Sequence, residues 1–160
     1  IAVDPWFIVE KQPDTAKIIE LSRKTNDSMP EYVASEIAAL LAGIPDPKVT
    51  VLGVTYKPDV DDMRESPILH LIELLNSKKI ETKAFDPFVK GVKGIENDLF
   101  AAAEGSDLLV LGVHHSEFKA LPFARLGAAM RNRVFYDTRN FVPVGPAKDA
   151  GFRCYLLGRK

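Results

Sequence analysis

The sequence predicts an α/β protein in which a parallel sheet is covered by helices on both faces and preceded by a helical segment. Three observations carry this expectation. The candidate strands are short and apolar throughout instead of alternating, as strands buried on both faces are. Helical patterns separate them. A break rich in Gly and Pro, Gly43-Ile-Pro45-Asp-Pro47, divides the chain where the rhythm changes. The natural architecture for such a pattern is a doubly wound, Rossmann-like sheet over residues 48–160, with residues 1–47 as a separate helical region.

Residues 1–12 form a short aromatic stretch (Trp6, Phe7), and a helix is expected from Pro13 to about Lys24, with Pro13 tolerated in its first turn. A second helix is expected from Ser28. Ser28 and Glu31 have capping-box spacing, Pro30 suits a first turn, and Val33, Ile37, Leu40 and Leu41 share one face. Beyond the break, Val49–Val54 is the first buried strand. A polar turn, Thr55–Glu65, leads to a helix opening at Ser66-Pro67 and running through Leu75, with Ile68, Leu71, Ile72 and Leu75 inward. Strands follow at Ile80–Phe85, Asp107–Val113, Val134–Asp137 and Cys154–Leu157, and helices near Asn97–Glu104 and Pro122–Met130.

Composition excludes several classes of function. With 160 residues the chain can bury roughly 70% of its unfolded surface without covalent staples. No apolar run approaches the ~20 residues of a membrane span. The single cysteine, Cys154, excludes an internal disulfide, and as a strand residue it reads as an inert buried thiol; a cytoplasmic location is expected. Residues 1–47 carry net −4 and residues 48–160 net +3. That excess suits a small anionic ligand and falls far short of a nucleic-acid-binding stripe. The opening Ile-Ala-Val-Asp-Pro-Trp-Phe has no initiating Met and no leader pattern, so the chain is expected to begin mid-sequence.

Ligands of doubly wound sheets bind beyond the carboxy ends of the strands. The first such turn, Gly53 to Pro67, is neither a Gly-x-Gly-x-x-Gly nor a Walker loop. Lys57 and Arg64 could replace glycine-mediated phosphate binding, or be solvated surface. Asp59, Asp61 and Asp62 could hold magnesium alongside a substrate phosphate, or merely shape the loop. Arg139, after the strand ending at Asp137, brings a second cation to the same edge. His114 and His115 end another strand without further metal-type ligands in sequence nearby.

The string Gly53-Val-Thr-Tyr56-Lys57-Pro-Asp-Val-Asp-Asp62-Met-Arg64-Glu-Ser-Pro67 closely resembles the signature of the UDP-binding domain of the UDP-glucose/GDP-mannose dehydrogenase family. Ile1–Val9 resembles the segment that follows the Gly-Gly-His-Cys motif of the family's UDP-N-acetylmannosamine dehydrogenases. Asn26–Pro30, Phe85–Pro87, His115–Phe118 and Tyr136–Arg139 match further landmarks in order. The resemblance covers essentially the whole chain. It implies the UDP-sugar-binding part of an NAD-dependent 6-dehydrogenase serving polysaccharide biosynthesis. Two hydride transfers to NAD would oxidise the sugar's 6-hydroxyl to a carboxylate through a cysteine-bound thiohemiacetal and thioester.

By the same resemblance the chain begins one residue after the catalytic cysteine. The NAD domain and catalytic Lys also lie outside it, so it is expected to be inactive alone. Asp4 matches the aspartate that positions or deprotonates water, Tyr56 and Lys57 the pair that contacts the nucleotide-sugar, Arg139 the arginine on its sugar, and Arg64 the arginine reaching the cofactor. No metal is implied. The helix from Ser28 resembles the helix through which these enzymes dimerise. UDP-N-acetylmannosamine is the substrate most implied; UDP-N-acetylglucosamine and UDP-glucose stay open, as does a stand-alone nucleotide-binding module.

Overall fold

The computed structural model describes residues 3–159, so Ile1 and Ala2, the start of the segment compared above, lie outside the described residues. Three helices come first: α1 (Asp4–Lys11), α2 (Lys17–Asp27) and α3 (Met29–Leu40). Then β1 (Lys48–Leu52), α4 (Pro67–Ser77), β2 (Glu81–Phe85), β3 (Ile95–Glu96), α5 (Leu99–Ala103) and β4 (Leu108–Leu111) follow. A 3₁₀ turn at Ser116–Ala120, α6 (Phe123–Ala129), β5 (Val134–Asp137), α7 (Val144–Asp149) and β6 (Arg153–Leu156) complete the chain. All named strand pairs are parallel, in the order β3-β2-β1-β4-β5-β6. This is the doubly wound order, and it reverses between β1 and β4. No helix among the described residues is long and apolar enough to cross a membrane.

Side-chain alternation explains why the central strands β1, β4 and β5 are largely apolar, whereas β2 (Glu81-Thr-Lys-Ala-Phe85) and β6 (Arg153-Cys-Tyr-Leu156) keep exposed polar positions. Val49 and Val51, Leu108 and Val110, Val134 and Tyr136 point to one face, where Val33 and Ile37 of α3 and Leu71 and Leu75 of α4 cover them. Leu52, Leu109, Leu111 and Phe135 point to the other face, against α5, α6 and α7 through Ala102, Leu126 and Ala147. Thr50, also on that face, satisfies its buried hydroxyl on Ala102 O (2.7 Å) and Ser106 Oγ (2.5 Å).

The amino-terminal helices depart from expectation. Asp4-Pro5 opens α1, because a proline in the first turn forfeits no helical hydrogen bond. Pro13–Thr15 form a turn, and α2 starts only at Lys17 and continues to Asp27. The capping box at Ser28 does not form. Ser28 is itself helical (φ −84°, ψ −3°), since α2 leads almost directly into α3, and its hydroxyl donates to Thr25 O (2.9 Å). Glu31 instead faces His70 Nε2 on α4 (3.2 Å). The helix expected to open at Ser66-Pro67 does so, with Ser66 as its cap, the Oγ accepting from Ile68 N–H (3.3 Å). Cys154 is half-buried, not fully enclosed.

At the order reversal the carboxy ends of β1 and β4 touch through glycines. Gly53 has φ +84°, and a Cβ there would lie 2.6 Å from Val113 Cβ; one on Gly112 would lie 2.7 Å from Gly53 O. Gly53→Ala is therefore expected to lower stability by roughly 2–4 kcal/mol, strain and overpacking acting together. Chemical denaturation checks this; an unchanged midpoint would show that the contact is not tight in solution.

Candidate functional site at the carboxy edge of the sheet

The loop after β1 is held compact by its own hydrogen bonds. Tyr56 N–H donates to Asp62 O (3.0 Å), Thr55 Oγ1 to Lys57 O (2.9 Å), and Ser66 Oγ to Thr55 O (3.2 Å). Asp59 and Glu65 take left-handed backbone, φ 60° and 56°. The exposed Tyr56 ring and the Lys57 ammonium lie 5.2 Å apart, within cation–π range. Arg64 grips Asp62 with two guanidinium bonds, Nε to Oδ1 (2.9 Å) and Nη2 to Oδ2 (2.7 Å), and its side chain is otherwise exposed. These bonds depress the Asp62 carboxyl to about 2.

Beside this loop, two imidazoles, His114 and His115, follow β4. His115 is buried and joins three partners. Its Nδ1 accepts from the Asp59 N–H (2.9 Å), its Nε2 meets Asp86 Oδ2 (2.9 Å), and Thr55 Oγ1 lies 3.3 Å from the same nitrogen. Asp86 is fully buried. Burial acts to raise its pKa, but His115 and the amides of Val54 (2.8 Å) and Phe88 (2.9 Å) outweigh it and hold the carboxyl below its ordinary value. His114 packs its ring on Phe141 (centroids 5.5 Å apart), and its buried Nδ1 has no partner among the described residues. Burial, with the charge of Arg139 adding to it, lowers the His114 pKa and favours the neutral imidazole.

The third contribution follows β5. The buried Asp137 carboxylate accepts from Arg139 N–H, Phe141 N–H and Val142 N–H (each 2.8 Å) and so shapes the turn. Arg139 then lies back across the sheet end, its Nε donating to Gly112 O (2.7 Å). Desolvation against the protein lowers its pKa, with Asp137 opposing, and a guanidinium remains charged regardless. Thr138 and Arg139 form one wall of a cleft whose other walls are Asn26, Pro30, Pro67 and Ile68. Asn26, Pro30 and Pro67 also line an adjoining groove towards Trp6, Arg23 and His70. The sequence had suggested no role for Asn26, whose neighbours here are brought together only by the packing of α2 and α3 on α4.

The structure thus brings Tyr56 and Lys57 together, places Asp62 and Arg64 within reach of their charges, and sets Arg139 on the same edge beyond His114. Asp4 stands apart, exposed in the first turn of α1, with no side-chain hydrogen bond among the described residues. The acidic trio does not converge. Asp59 accepts from Ser116 N–H and Oγ, Asp62 is taken by Arg64, and the described residues contain no cluster suited to a metal ion.

Residues 50–143 match the UDP-binding domain of the UDP-glucose/GDP-mannose dehydrogenase family. The chain belongs to this family. A UDP-N-acetyl-D-mannosamine dehydrogenase of Methanococcus vannielii is 38% identical over 163 residues, covering 99% of this chain and 38% of the relative. An NDP-N-acetyl-D-galactosaminuronic acid dehydrogenase of Ralstonia nicotianae is 33% identical over 145 residues, covering 87% and 33%. Among solved structures, the UDP-N-acetyl-mannosamine dehydrogenase of S. aureus superposes with TM-score 0.84 at 39% identity, over 99% of this chain and 37% of that one. The chain therefore spans less than two-fifths of the length of these relatives. The matched span contains the loop after β1, both imidazoles and Arg139.

Because two bonds from Arg64 hold Asp62 ionised, that carboxylate keeps its charge as pH falls through the ordinary aspartate range and loses it only around 2. Carboxyl-carbon NMR titration of Arg64→Ala is expected to return the Asp62 midpoint towards ~3.9. A midpoint unmoved by the substitution would mean that the pair does not persist in solution.

Proposed function

We propose that this chain is the UDP-sugar-binding part of a nucleotide-sugar 6-dehydrogenase, and that the nucleotide-sugar lies along the carboxy edge of β1, β4 and β5. The observation that carries this reading is the placement of two cations, Lys57 and Arg139, on one sheet edge within a domain of a UDP-binding family. Fixed ammonium and guanidinium groups there would neutralise a diphosphate that has no glycine-rich loop to receive it. Tyr56 offers an aromatic face beside Lys57, and Arg139, anchored by its Nε on Gly112 O, would use its terminal nitrogens on sugar oxygens.

The substrate class we infer is an acetamido sugar on UDP, UDP-N-acetylmannosamine first, oxidised at C6 to the uronate that polysaccharide assembly uses. Support comes from the Methanococcus vannielii and Ralstonia nicotianae relatives, both dehydrogenases named for N-acetyl sugars. NAD supplies the hydride acceptor when bound. This chain's share in holding it is assigned to Arg64, whose exposed position at the loop tip suits a phosphate presented from outside the chain. Asp4 would position water for release of the acid. Cys154, half-buried and with its pKa raised by that burial, is no substitute for a catalytic thiolate, so the chain alone is expected to turn nothing over. We assign residues 1–47 to the central region of the full-length enzyme. Exposed apolar side chains there, Phe7, Ile18, Leu21 and Tyr32, support association through the face formed by α1 to α3.

Titration calorimetry with UDP and then UDP-N-acetylmannosamine tests the site. Lys57→Ala and Arg139→Ala are each expected to weaken binding about tenfold or more, as loss of a charge-assisted hydrogen bond does. Wild-type affinity in both variants, or no binding by the well-folded chain, would overturn the assignment.

A further inference from the structure

We propose that His115, backed by Asp86, is a positioning residue that pins the segment carrying Tyr56 and Lys57 from both sides and so presents it to the nucleotide-sugar. The inference rests on the site proposed above for its consequence in binding, but its geometry stands independently. On the near side of the segment, the Val54 N–H donates to Asp86 Oδ2 (2.8 Å), and Thr55 Oγ1 lies 3.3 Å from His115 Nε2. On the far side, the Asp59 N–H donates to His115 Nδ1 (2.9 Å), while the Asp59 carboxylate reaches back to Ser116 N–H (2.8 Å) and Oγ (2.7 Å). Tyr56 and Lys57 lie between these two fastenings. Both are exposed, so burial of their own side chains does not hold them.

The bonds dictate a single protonation pattern. An imidazole nitrogen that accepts a backbone N–H carries no proton, so the His115 proton sits on Nε2 and is donated to the Asp86 carboxylate. The ring is enclosed by Phe88 (centroids 4.9 Å) and Phe118 (5.5 Å), which keep water from competing for either nitrogen. Asp59, at φ 60°, takes left-handed backbone, which Asp tolerates better than most residues but which still lies above its preferred conformations. The imidazole holds it there. Without it the loop would sample other turns, and a ligand would bear the entropy of ordering Tyr56 and Lys57 on binding.

The first test uses the wild-type chain with ¹⁵N-labelled histidine. Long-range ¹H–¹⁵N correlation should show His115 protonated on Nε2 with Nδ1 bare; the opposite tautomer would overturn the proposal. Two substitutions then separate positioning from packing. His115→Gln keeps a donor within reach of Asp86 but offers Asp59 nothing in place of Nδ1. His115→Asn places an amide oxygen where Nδ1 stood. Amide exchange at Tyr56 and Asp59, whose N–H groups are bonded to Asp62 O and His115 Nδ1, should accelerate about tenfold in His115→Gln and UDP affinity should fall about tenfold, both largely restored in His115→Asn. Phe123→Leu, which loosens the same core where Phe123 packs on Phe135 and Phe152 and not on His115, should lower the melting temperature and leave both readouts near wild type. Equal loop exchange in His115→Gln and Phe123→Leu would reduce His115 to a core residue and refute the proposal. So would a His115→Gln chain that binds UDP as tightly as wild type. If the wild-type chain bound no UDP while the tautomer and exchange results held, the fastening would stand and the assigned binding site would fall.

Discussion

Asp86 carries a carboxylate shut away from solvent at the end of β2, and the carboxy edge of the sheet is organised around it. A buried charge of this kind is tolerable only when its lone pairs are satisfied, because stranding it costs several kcal/mol. Here three donors converge on it, the amides of Val54 and Phe88 and the proton on His115 Nε2, and they follow three different strands. One acid thus ties the exits of β1, β2 and β4 together, at the point where strand order reverses and the sheet must open. The glycines at 53 and 112 make this possible by letting the exits of β1 and β4 approach within backbone contact.

From this follows the way the edge can serve an anion. A dinucleotide fold usually brings bare backbone amides to a pyrophosphate, but the loop after β1 has a single glycine, Gly53, and it is packed against Val113. Its amides are committed internally, Tyr56 to Asp62 O and Asp59 to His115. At the proposed site charge would come instead from side chains on a fastened backbone. Lys57 sits between two fastened points, and Arg139 is held at its Nε by Gly112 O. A backbone already ordered spares the ligand that part of the entropy cost. The carboxylates that accompany these cations, Asp59 and Asp62, are already engaged with Ser116 and Arg64, which limits their repulsion of an incoming anion.

Much of this was legible in the sequence, and the reasons differ from element to element. Strands β1, β4 and β5 are apolar on both faces because helices cover both, and that leaves an unambiguous run of Val, Leu and Phe. Two-residue β3 has no run to display, and α7, Val144–Asp149, contains Gly and Pro and is held by Ala147 in the core instead of by propensity. At Ser28 a good local pattern lost to its surroundings, since α2 arrives with helical geometry and leaves no free end to cap. The loop after β1 and Arg139 stood out by position and charge. His115 did not, because its meaning lies in partners 29 and 56 residues away that only the topology brings together. Before folding it was one of two histidines with nothing nearby to bind.

The most direct test of this account is a crystal structure of the chain with UDP bound. The account predicts the diphosphate along the exits of β1, β4 and β5, in contact with Lys57 and within reach of Arg139, while His115 and Asp86 keep the positions described here. Diphosphate density elsewhere, as in the groove between Trp6, Arg23 and His70, with the loop after β1 untouched, would contradict it.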